Sequence, residues 1–79
     1  MKKTISKKVY DTERSTLIRR RPYSHFGDPE GYEESLYQTS DGFYFLHVRG
    51  GESSKYPRED IKRMSQRSAE EWLANDTDH

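Results

Sequence analysis

Three histidines, His25, His47 and His79, are the side chains of this sequence best suited to proton or metal chemistry near neutral pH. A metal site built on them needs carboxylate helpers and must draw together three distant segments. His79 is the last residue, and His47 stands in an aromatic run where a packed or surface imidazole is the ordinary role. Neither a metal ligand nor a catalytic residue is assigned. Glu30, Glu33 and Glu34 crowd together, but on a strand Glu33 and Glu34 point to opposite faces, so adjacency does not make an acid–base pair. Gly50-Gly51-Glu52-Ser53-Ser54-Lys55 shares only its composition with a phosphate loop and lacks the Gly-x4-Gly-Lys-Ser/Thr spacing. With no Cys there is no thiolate nucleophile, disulfide or Cys-ligated zinc. The expectation is a protein that is not an enzyme and uses no cofactor.

Charge is the remaining chemistry. The chain has 14 basic and 14 acidic residues, yet they are unevenly spread. Residues 1–22 carry a net +6, while residues 23–35 carry a net −4 from Asp28, Glu30, Glu33 and Glu34. Two candidate binding surfaces follow. The acidic one, Asp28, Glu30, Glu33 and Glu34, suits a protein partner, because carboxylates compete for the arginines and lysines of a basic channel. The basic one, Lys7, Lys8, Arg19, Arg20 and Arg21 beside Tyr10 and Tyr23, has the composition of phosphate contact with base stacking. A pI near 6.8 weighs against a dedicated nucleic-acid domain.

The elements that must position these charges read as short strands followed by one helix. Lys8–Tyr10 and Thr16–Arg20 are β-prone runs around a polar turn and are expected to form a hairpin. Pro22 ends it or marks a sheet edge. Residues 23–31 are dense in turn formers and read as a loop. Residues 32–39 and 43–48 flank Asp41-Gly42, which supplies positive φ for a second hairpin. The second of these runs, Phe43–Val48, is the most apolar of the chain and suits a central strand buried on one or both faces. An uncovered face there would favour a homodimer. Residues 57–64 read as an edge strand or as the start of a helix. Gln66–Ala74 reads as a helix, with Ser65 or Ser68 as cap and Trp72 and Leu73 as anchors.

At 79 residues the chain is one domain, with residues 1–7 and 75–79 expected as flexible ends. Only 29% of residues are hydrophobic, so ten aromatics must supply much of a thin core. Trp72, Leu73, Leu36, Phe45 and Leu17 are expected inside. No apolar run approaches the length of a membrane helix, and the N-terminus lacks the apolar stretch of a secretory signal, which makes the cytoplasm the expected location. The predicted fold class is α+β: a small antiparallel sheet of about four strands with one C-terminal helix packed on a face.

Several segments together resemble a known group. Val9-Tyr10-Asp11-Thr12-Glu13, Tyr37-Gln38-Thr39, Gly42-Phe43-Tyr44-Phe45-Leu46-His47 and Glu71-Trp72-Leu73 are similar to small accessory proteins carried by phages and integrated elements of bacteria. The resemblance implies a non-catalytic factor that modulates or inhibits a host complex by occlusion, of anti-CRISPR or other anti-defence type. Its partner would be a host protein or ribonucleoprotein. The rival expectation is a small nucleic-acid-binding accessory protein using the basic N-terminal segment.

Overall fold

The computed structural model describes residues 1–23 and 29–75, and its elements follow from local chemistry. Strands β1 (Lys2–Ile5) and β2 (Lys8–Asp11) form an antiparallel pair. Ser6 and Lys7 turn between them with φ of 51° and 67°. Two consecutive positive φ values match the right-handed twist of the flanking strands, at the cost of local strain in non-glycine residues. Strands β3 (Thr16–Tyr23), β4 (Tyr32–Gln38), β5 (Tyr44–Gly50) and β6 (Asp60–Met64) form a four-stranded antiparallel sheet in that order. Helix α1 (Gln66–Ala74) follows. The fold is α+β, with a four-stranded antiparallel sheet and one C-terminal helix.

The β4–β5 hairpin turns at Asp41-Gly42, with Gly42 at φ +89°. Gly51 serves a different purpose. A Cβ there would sit 2.2 Å from the carbonyl oxygen of Pro29, so only glycine lets the chain after β5 lie against residues 29–31. Two backbone bonds close that contact, Gly51 N–H to Gly31 O and Ser53 N–H to Pro29 O. Of residues 57–64, read as an edge strand or the start of a helix, Asp60–Met64 form strand β6. The helix cap is Ser65, whose side chain accepts from the Ser68 amide at 3.1 Å, so Ser68 lies inside the helix and is not its cap.

The sheet is covered on both faces. On one, Leu36, Leu46, Val48 and Tyr56 pack with Ala69, Trp72 and Leu73. On the other, Tyr10 and Ile5 from the β1–β2 pair pack on Phe45, Ile61 and Tyr37, with Tyr10 edge-on to Phe45 and Tyr37 stacked on it. A sheet with two apolar faces needs two covers, and the first eleven residues supply the second.

Three sequence expectations change here. β2 pairs with β1 and not with β3, because β3 finds its partner in β4, from Thr16↔Gln38 to Tyr23↔Tyr32. Leu17 is 48% exposed rather than buried, because it lies on the edge strand just before a register shift between Leu17 and Arg19. The Phe43–Val48 run has no open face: Phe45, Leu46 and Val48 are buried and only Phe43 is exposed. The apolar face that favoured a homodimer is therefore absent.

Candidate functional site

Adjacent strands decide what the charged residues meet. Register places Arg21 opposite Glu34, and Glu33 opposite Arg49. Because side chains alternate along β4, Glu33 and Glu34 part to opposite faces of the sheet.

Glu33 lies on the face away from α1, where Arg20 reaches it diagonally at 2.5 Å and Arg49 from the side at 3.4 Å. The hydrogen bond from Arg20 outweighs the effect of burial and holds the Glu33 carboxyl below the ordinary glutamate range. His47, on the same face, lies 2.5 Å from Glu59. Its role is a surface contact between β5 and the segment before β6.

Glu34 faces α1 and is only 7% exposed. Three neutral donors surround it: the Tyr56 hydroxyl at 2.6 Å, Trp72 Nε1 at 3.0 Å and the Tyr23 hydroxyl at 3.2 Å. Burial works to raise its pKa, but the bonds from Tyr56, Trp72 and Tyr23 win, so the carboxyl stays below its usual range. Tyr56 shifts the other way, because burial and its bond to Glu34 both favour the protonated phenol. Arg21 lies over the Trp72 ring at 3.8 Å and donates to the Trp72 carbonyl at 2.6 Å. This cluster ties α1 to the sheet.

The two charge surfaces expected from the sequence meet in the ion pair between Arg20 and Glu33. Of the acidic set, Glu34 is enclosed, Glu33 is bound between two arginines, Glu30 is exposed, and Asp28 lies outside the described residues. Of the basic set, Lys7 sits at the turn between β1 and β2, and Lys8 is paired with Asp41 and lies over the Phe43 ring. Arg20 and Arg21 are held by Glu33 and Trp72, and Arg19 is exposed beside them on β3. His25 and His79 also lie outside the described residues. Among the described residues no group of three His, Cys, Asp or Glu is placed to hold a metal ion. No described helix is long and apolar enough to cross a membrane.

Two features were missed in the sequence. The first is the outer edge of β3, where Leu17 and Ile18 are exposed beside Arg19 and Arg20. No described strand pairs with that edge. Pro22, a residue confined to sheet edges, signals that edge, but along the chain Thr16–Arg20 reads as the partner of Lys8–Tyr10. The second is a groove at the opposite edge, around Tyr56. Its basic residues are spread over residues 55–62 among carboxylates and form no run.

No protein-family model, curated protein or solved structure matches this chain.

Proposed function

We propose that this chain is a non-catalytic binding protein of a mobile element that modulates or inhibits a bacterial host complex by covering part of its surface, in the manner of an anti-CRISPR or other anti-defence protein. The observation that carries the reading is the outer edge of β3. No described strand pairs with it, and it carries two exposed aliphatic side chains, Leu17 and Ile18, with arginines beside them. An edge of this kind accepts an extended segment of another protein as an added strand, with main-chain bonds for affinity and side chains for selection. The positive charge of Arg19, exposed on this edge, favours an acidic segment. A second copy of the same edge is disfavoured, since antiparallel self-pairing brings arginines near arginines. The resemblance to phage and integrated-element proteins supports a bacterial host setting, and on this reading the protein acts in the host cytoplasm.

The test is affinity capture from a bacterial lysate with and without nuclease, using the native protein and a Leu17→Asp, Ile18→Asp variant. Both positions are exposed, so the variant is expected to keep its circular dichroism spectrum. A protein partner retained after nuclease and lost with the variant supports the reading. Capture that vanishes with nuclease, or that ignores the variant, overturns it; the former outcome would favour a nucleic-acid-binding accessory protein.

A further inference from the structure

The cations of this protein divide into those already committed and those that are not. Lys3, Lys8 and Arg20 are held by Asp60, Asp41 and Glu33, and Arg21 is held at Trp72. Lys55, Arg58 and Lys62 are all exposed, and none has a carboxylate at ion-pair distance among the described residues. These three line one groove of about 420 Å³ between the segment before β6 and β6 itself.

The floor and walls of the groove explain why these cations stay together. Tyr56 is buried and its hydroxyl is pinned by Glu34, so its ring is a fixed surface. The ammonium groups of Lys55 and Lys62 lie 5.4 Å and 5.8 Å from that ring's centre. Each ammonium is attracted to the electron-rich ring, which offsets part of the cost of gathering cations around it. Two carboxylates also line the groove: Glu59 lies 2.5 Å from His47, and Asp60 is bound by Lys3 at 2.6 Å and is held ionised in part by Lys62. The groove is open to solvent, its three cations outnumber its two carboxylates, and the pinned Tyr56 ring forms its base.

We infer that this groove binds a small ligand bearing a chain of phosphates. Three cations match a multiply charged anion better than a single carboxylate. A guanidinium fork engages two phosphate oxygens at once, while ammonium groups act as point charges on the same chain. The volume falls within the usual ~300–1,000 Å³ of small-molecule sites. The groove lies at the sheet edge opposite β3, so it is separate from the protein-binding edge, and either reading can fail without the other.

The test uses tripolyphosphate as probe, with binding followed by calorimetry and by amide chemical shifts of the native protein. Citrate and a single-stranded oligonucleotide form parallel arms. Saturable tripolyphosphate binding with shifts centred on residues 55–62 is expected. Lys55→Gln and Lys62→Gln should each weaken it about tenfold, the scale of one lost charge-assisted hydrogen bond. Arg67→Gln, which removes an equal charge from the helix surface, should leave it unchanged. Equal binding of citrate would show general ion pairing and overturn the inference. So would shifts centred outside the groove, binding of the oligonucleotide alone, or equal losses in all three variants.

Discussion

The Tyr56 hydroxyl donates to Glu34 Oε2 at 2.6 Å, joining a buried carboxylate on β4 to the segment that leads into β6. The same carboxylate receives Trp72 Nε1 at 3.0 Å, so one charge secures both the sheet margin and the helix. Burying a carboxylate is costly unless donors replace its water, and here three do so.

Glu34→Ala removes the acceptor and leaves those donors, the buried Tyr56 hydroxyl above all, without that partner. The expected loss is about 3 kcal/mol, a large share of the ~4–12 kcal/mol available to a domain of this size. Trp72→Phe removes one donor while keeping an aromatic ring beneath Arg21, and should cost about 1 kcal/mol. Urea unfolding followed by circular dichroism measures both. Equal stability of Glu34→Ala and the native protein would contradict the bonded cage.

Acid should act on the same group. The Glu34 pKa is lower in the folded protein than in the unfolded chain. Its contribution is therefore complete above the ordinary glutamate range of ~4.3 and is lost as pH falls toward the depressed folded value. Glu33, also lowered, adds in the same direction. Stability measured by urea midpoints should fall between about pH 5 and pH 3. The slope should be shallower in Glu34→Gln.

Gly51→Ala should destabilise the protein by at least about 2 kcal/mol, because the new methyl would meet the Pro29 carbonyl at 2.2 Å and the backbone must part. Gly42→Ala meets no neighbouring atom, so its cost is only the positive φ, about 1 kcal/mol. Thermal unfolding of the two variants gives the ranking.

Leu36→Ala and Leu17→Ala compare the same chemistry at opposite burial. Leu36 is enclosed against α1 and should cost about 3–5 kcal/mol, enough to unfold much of the population at 37 °C. Leu17 is on the exposed edge and should change stability by no more than about 0.5 kcal/mol. A large loss at Leu17 would mean that the edge of β3 is covered.

What the residues determined alone is what local geometry and period can carry. Asp41-Gly42 between two β-rich runs specified the β4–β5 hairpin, because the turn demands positive φ at its glycine. The run Gln66–Ala74 specified the helix, with Ser65 or Ser68 as its cap, and the structure selects Ser65, whose hydroxyl accepts from the Ser68 amide. Strand alternation was enough to send Glu33 and Glu34 to opposite faces. Ser6-Lys7 is no turn signature, so the pairing of β1 with β2 was hidden, and with it the second cover of the sheet. The fate of the charges was hidden for a related reason. Runs of arginine and glutamate look like separate surfaces along the chain, but an ion pair depends on which strands become neighbours and in what register. Only the β3–β4–β5 register brought Arg20 and Arg49 to Glu33 and set Glu34 on the face that Trp72 covers.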